Sequence, residues 1–221
     1  MADGYLMLIP LARLQHSSQF SIISHVMKKL EFIFGILSIL ALLLSLFLVP
    51  GANMAMVLGF GVLSVFYMYA SFALFNGVSG RAIFKKESYF GIPRIRLIGA
   101  ALTGIALSVC AIGILFKMMS WPGANNNLGM GLVAVFIALI VGITRYSKSK
   151  DAFYIRLFKR IVVYGGLALV LFILPSEVWI DFKYRNHPAY REALKNATAD
   201  PSNQELWEKV HEEQLKMDQE D

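Results

Sequence analysis

The chain has 221 residues, 57% of them hydrophobic and only 16% charged, with a formal net charge of +6; an ordinary soluble domain carries roughly 25% charged residues. The charges gather between five long, nearly uncharged stretches, and the polar chain left over is too short to bury them, which excludes a water-soluble globular domain. The basic excess does not indicate nucleic acid, because the positions of the basic residues are those that membrane topology demands.

Residues 1–26 mix short apolar pieces with Arg13, His16, Ser17, Ser18 and Gln19. Met27, Lys28 and Lys29 followed by an apolar run read like a bacterial translation start, which would make 1–26 an extension; a weakly amphipathic interfacial segment is the alternative. A bilayer core of about 30 Å takes about 20 apolar helical residues. Stretches at about 32–49, 54–77, 97–116, 128–144 and 161–180, uncharged save for Glu177 near the end of the last, meet that requirement. Each is continuously apolar and none alternates, so helices are expected and not barrel strands. The single cysteine, Cys110, lies within the third stretch as a packing residue and can form no intrachain disulfide.

The tetrapeptide Pro-Gly-Ala-Asn stands at 50–53, between the first two stretches, and again 72 positions on at 122–125, between the third and fourth. Pro50 and Pro122 cannot continue a helix without losing a backbone hydrogen bond, and Gly51 and Gly123 can take φ > 0. The same shift matches Leu43 with Leu115 and Gly59 with Gly131. The expectation is an all-α membrane protein of five transmembrane helices: two tandem, parallel-repeat hairpins, a fifth helix and a short helical C-terminal tail. A favourable turn that arose twice is the alternative to duplication. Ala100, Gly104 and Ser108, followed by Ala111 and Gly113, form a small-residue face that lets helices approach closely. That face is expected to pack within the chain, with Gly129, Gly131 and Ala134 opposite it. The resulting division is an N-terminal extension (1–26), hairpin one (27–77), a basic loop (78–96), hairpin two (97–144), a basic segment (145–160), helix five (161–180) and an acidic tail (181–221).

Arg81, Lys85, Lys86, Arg94 and Arg96 lie between spans two and three, and Arg145, Lys148, Lys150, Arg156, Lys159 and Arg160 between spans four and five. The two turns carry no basic residue apart from Lys117 beside the second. Basic loops stay in the cytoplasm, so the N-terminus is expected inside, the C-terminus in the periplasm, and the protein in a bacterial inner membrane. Trp121 and Trp179 fall at outer span ends, where indole rings favour the headgroup level, and Tyr146 and Tyr164 flank inner ends. The segment 145–160 interleaves aromatic and basic residues; attraction to anionic lipid and ordinary flanking of a span explain it equally.

The tail holds ten acidic and six basic residues, a net charge of −4. It reads as two short helices: 189–197, then a second piece after the break at Asp200 and Pro201. Ser202 and Glu205 stand at capping-box spacing before Leu206, Trp207 and Val210. A solvated hairpin near the outer surface is expected, with a docking element for a partner as the alternative.

No chemistry is legible. The four histidines (His16, His25, His187 and His211) lie outside the spans without metal-ligand spacing. There is no phosphate-cradling glycine loop and no serine elbow. No span carries an acid near its middle, which argues against an ion pathway within one chain. No enzymatic activity, cofactor or metal is expected. Lys117, near the outer end of span three, and Glu177, near that of span five, either reach to the interface separately or pair to brace span five against hairpin two.

Phe116, Lys117, Trp121, Pro122, Gly123 and Ala124 fit the pattern F-K-x-x-H-W-P-G-A, with Ser120 where the pattern has histidine. This resembles the turn between the two spans of GldL, the inner-membrane subunit of the Bacteroidetes gliding and type 9 secretion motor. The resemblance covers about 35 residues, spans three and four, and implies an inner-membrane hairpin family with Lys117 and the Trp-Pro-Gly turn as the transferable positions. GldL-type proteins have two spans with an important glutamate in the second, and a long cytoplasmic part; neither occurs here, so the resemblance does not imply a proton-driven motor. The expected function is a non-enzymatic structural or interaction subunit of a bacterial envelope assembly, in contact with lipid and with protein partner subunits or further copies of the chain. The alternative is a transport or motor component that takes its acid from a partner. The positions singled out are Pro50, Gly51, Lys117, Trp121, Pro122, Gly123 and Glu177.

Overall fold

The computed structural model describes residues 8–78 and 80–220. Every regular element among them is helical. Helices α1 (Leu8–Leu46), α2 (Ala52–Asn76), α3 (Arg94–Met118) and α4 (Ala124–Ser149) form an antiparallel bundle, followed by α5 (Ala152–Arg160), a π-helical turn (Ile161–Gly165), α6 (Gly166–Ile173), α7 (Ser176–Lys183), α8 (Pro188–Ala199) and α9 (Gln204–Glu220). Four helices are long and apolar enough to cross a bilayer, and the pair Ala152–Ile173 and Ser176–Lys183 makes a fifth if counted as one broken span. Phe32, Phe136, Val133 and Val162 are more than 60% exposed on the outside of the bundle, an apolar surface compatible with contact to lipid. Residues 1–7 lie outside the described residues, so the question of a start at Met27 falls partly there; from Leu8 the backbone belongs to α1.

The central helix is α3, packed between α2 and α4. Small residues set both spacings. A Cβ on Gly104 would lie 2.0 Å from Ser71 Oγ and 2.6 Å from the Tyr67 carbonyl, so α2 and α3 touch backbone to backbone. Ser64 and Ser108 hydrogen-bond across the same seam at 2.7 Å. The face of Ala100, Gly104 and Ser108 therefore meets hairpin one. It is Gly113 and Cys110 that meet α4, through Leu128 and Gly131, while Gly129 lies against Phe172 of α6.

The two turns share their geometry residue for residue. In the first, the Leu48 amide donates to the Ser45 carbonyl and the Val49 amide to the Leu44 carbonyl, both at 3.1 Å. In the second, Ser120 donates to Lys117 at 3.2 Å and Trp121 to Phe116 at 2.9 Å. Both are Schellman closures with a left-handed residue after the helix. That residue is Leu48 at φ 57° in one and Ser120 at φ 56° in the other, followed by Gly51 at φ 81° and Gly123 at φ 77°. Beneath the turns, a Cβ on Gly59 would meet Ser38 Oγ at 2.8 Å and one on Gly131 would meet Cys110 Sγ at 2.8 Å. Each of these positions maps onto its counterpart under the shift of 72 residues.

The candidate fifth span departs from the expected straight helix over 161–180. Helix begins at Ala152, where Asp151 Oδ1 accepts from the Phe153 amide at 2.8 Å and caps α5. It ends at Ile173, and α7 then turns away by 88°. Leu174 precedes Pro175 and is held extended at φ −70°, ψ 121°, because the proline ring disfavours helical backbone in the residue before it. Trp179 consequently sits in α7 and is 5% exposed, buried in protein and not placed in a headgroup belt. Tyr164 is buried in the bundle in the same way.

The tail forms two helices, as expected, but they are packed on α7 and not merely solvated. Tyr190, Leu194 and Ala197 of α8 and Val210 of α9 close a second core on Ile180 of α7, and Lys195 pairs with Asp181 at 2.5 Å. The cap of α9 is Asn203, whose Oδ1 accepts from the Glu205 amide at 3.1 Å; Ser202 instead donates to Asp200 at 2.7 Å, so the expected capping box is not formed.

Candidate functional site

Two polar clusters occupy opposite ends of the bundle. At the turn end, α7 lies across the tops of both hairpins. Lys183 Nζ donates to Asn53 Oδ1 of the first Pro-Gly-Ala-Asn turn at 3.3 Å and to the Met118 carbonyl at 3.2 Å. Trp179 Nε1 donates to the same carbonyl at 2.9 Å. Lys117 Nζ donates to Asn125 Oδ1 of the second turn at 2.7 Å and to Ser176 Oγ at 2.9 Å. The asparagine that closes each tetrapeptide thus receives a lysine: one from α7, the other from α3.

Both lysines are buried, Lys117 to 2% and Lys183 to 9% exposure, and both bond only neutral oxygens. Burial pushes the Lys183 ammonium, in α7 beyond the spanning segments, down to about 8.

Of the residues singled out in the sequence, Lys117, Trp121, Pro122 and Gly123 line one cavity of about 350 Å³ at this end, together with Ser120 and Ser176. Trp121 stacks edge-on against Phe116 with centroids 5.2 Å apart and remains 39% exposed. Pro50 and Gly51 form the exposed tip of the first turn. Glu177 is exposed, and the expected pairing with Lys117 is not made: the proline-imposed bend presents Ser176 to the ammonium and turns its neighbour outward.

The opposite end holds what sequence reasoning missed. Glu31 of α1 pairs with Arg160 at the end of α5 through both carboxylate oxygens, the second bond at 2.5 Å. Tyr67 of α2 donates to the same carboxylate at 2.9 Å. The side chains of Arg160 and Glu31 are only 15% and 12% exposed. Arg160 also lies 4.9 Å over the Phe75 ring, and Tyr164 meets Tyr67 edge-on at 5.5 Å. Gly35 is required here, because a Cβ would sit 2.6 Å from the Tyr164 hydroxyl. The π-helical turn follows Arg160 directly and brings Arg160 and Tyr164 to the same side, a local geometry that recurs at functional positions.

Glu31 falls near the start of the candidate span Met27–Leu46 and not near its middle. The stretch 32–49 excluded it by one residue, and its partner is 129 positions away, a separation no local pattern reports. Beside this cluster, Arg96 pairs with Asp151 at 2.5 Å, donates to Asn76 at 2.8 Å and covers the Phe153 ring at 4.3 Å, tying the two basic connectors together. Among the described residues no group of three or more His, Cys, Asp or Glu side chains is placed to hold a metal.

No family model, no curated protein and no solved structure matches the chain.

Proposed function

We propose that the protein is a non-enzymatic subunit of an assembly in a bacterial inner membrane, built as two tandem hairpins that hold a C-terminal helical unit at one membrane face. The observation that carries this reading is the docking of α7 on both turns through Lys183, Trp179, Lys117 and Ser176. A tail fixed at four points to a rigid bundle presents a defined surface. Its outer face is charged and carries an exposed apolar residue, Leu215, at 50% exposure. Duplication is supported by the coincidence of turn dihedrals and glycine contacts at the shift of 72. The positive-inside distribution supports a cytoplasmic N-terminus and a periplasmic tail, and the Trp-Pro-Gly turn that resembles GldL agrees with an inner-membrane hairpin protein. A photo-crosslinking residue at Leu215, half-exposed on α9, is expected to give one adduct of discrete mass in native membranes. A chain that remains uncrosslinked and purifies as a lone monomer in mild detergent would contradict the reading.

A second reading, a transport or motor component, draws on Glu31. In that reading Glu31, paired with Arg160, takes the place of the acid expected from a partner. Proton uptake into liposomes carrying the wild type or Glu31→Gln separates the two roles; equal uptake removes the second.

A further inference from the structure

The turn end carries a buried positive charge, Lys117, that forms no ion pair with a carboxylate among the described residues. Lys117 gives two of its three protons to neutral oxygens, and these satisfy hydrogen bonding without cancelling the charge. None of the residues lining the adjoining cavity is acidic. Glu177 is exposed, and Asp200 is exposed and accepts from Ser202. Ser120 also lines this cavity; it is 8% exposed and its Oγ has no hydrogen-bond partner. Leaving such a hydroxyl unpaired costs about 1–3 kcal/mol; Ser45 Oγ and Ser71 Oγ are unpaired likewise, but of the three only Ser120 lines this cavity. The cavity is also bordered by Gly123, Ala124, Asn125 and Asn126, the first turn of α4. That helix has no side-chain cap, so its leading amides are open donors at the positive end of a 26-residue dipole.

The first hairpin supplies the control. Its turn has the same backbone, including a left-handed residue, so the geometry alone reflects no ligand. Under the shift of 72, however, Lys117, Ser120 and Asn126 correspond to Ser45, Leu48 and Met54. Only the second copy combines an ammonium, a hydroxyl and a polar rim around uncapped helix amides.

We propose that this cavity binds one phosphate-type oxyanion, held by Lys117 Nζ, Ser120 Oγ and the leading amides of α4. A tetrahedral oxyanion accepts from several directions at once, as these donors require. The half-exposed Trp121 at the rim places the opening at headgroup level, so the phosphate of a lipid headgroup and free inorganic phosphate share the chemistry. The inference does not depend on the role proposed above.

The test uses the full chain in a neutral maltoside detergent. Inorganic phosphate is titrated against chloride at constant ionic strength, with melting temperature and tryptophan fluorescence as readouts. In parallel, native mass spectrometry counts phosphatidylglycerol retained after extraction from vesicles containing it. A saturable phosphate shift, weakened about ten-fold or more by Lys117→Met and by Ser120→Ala, supports a free-anion site. One retained lipid, displaced by phosphate and lost in the same variants, supports a headgroup site. Ser120→Ala removes only an unpaired hydroxyl, so it decides the matter if Lys117→Met fails to fold. Absence of both signals, or binding unchanged in Ser120→Ala, overturns the proposal.

Discussion

Single residues divide into those that carry buried charge and those that carry strain. Glu31 and Arg160 are a buried pair, and removing one partner leaves the other uncompensated at a cost of about 3–5 kcal/mol. Glu31→Gln and Arg160→Met are each expected to lower stability by roughly that amount in detergent unfolding. The double variant should lose clearly less than the sum; additive losses would mean the pair is not coupled. Lys183 gives a pH signature. Its folded value of about 8 lies below its ordinary 10.5. Between those values the unfolded chain holds the proton and the folded chain does not, so stability rises with pH across that window. The melting temperature of the wild type relative to Lys183→Met should therefore increase from about pH 7 to about pH 9.5; a constant difference contradicts burial of this ammonium. Leu48 bears a left-handed backbone that costs a side-chain-bearing residue about 1–2 kcal/mol. Leu48→Gly is expected to raise the melting temperature, offset in part by the greater freedom of glycine in the unfolded chain.

Helix identity was legible from the sequence, and helix partnership was not. The first four apolar stretches and the two turns lie within a few residues of the observed helices and turns because bilayer thickness and proline act locally. Pro50 and Pro122 cannot continue a helix, and each stands two residues after the left-handed residue that closes it. The bend at Leu174 is equally local, because Pro175 lies inside the stretch 161–180 and breaks it. The direction of the small-residue face depends on which helix arrives to fill it. Gly104 is matched by Ser71 on α2, a pairing that spacing within α3 cannot reveal. The consequence is testable at that seam. Gly104→Val must force α2 and α3 apart and is expected to cost at least about 1–3 kcal/mol. Gly61→Ala, which has nothing within 4 Å of the added Cβ, should be neutral or slightly stabilising. Equal effects of the two would show that α2 and α3 do not approach closely.

Taken as a whole, the molecule is a membrane bundle with unlike ends. One end gathers basic connectors, closed by Arg96–Asp151 and Glu31–Arg160; the other gathers two matched turns roofed by α7–α9. The sequence distinguished the ends through charge, a property of composition, but not the clusters within them. Glu31 with Arg160, and Lys183 with Asn53, join positions 129 and 130 residues apart. Lys117 stood out from the start because it is a charge beside an apolar run, yet its partners proved to be a turn asparagine and a serine brought in by the bend.

The opposed ends are the claim on which the rest stands, and cysteine accessibility tests it most directly. In a Cys110→Ser background, Lys148→Cys reports the basic end and Glu208→Cys the tail; both positions are exposed. A membrane-impermeant maleimide applied to right-side-out membranes should label Glu208→Cys and spare Lys148→Cys, and inside-out vesicles should reverse the pattern. Labelling of both positions from the same side would contradict the account.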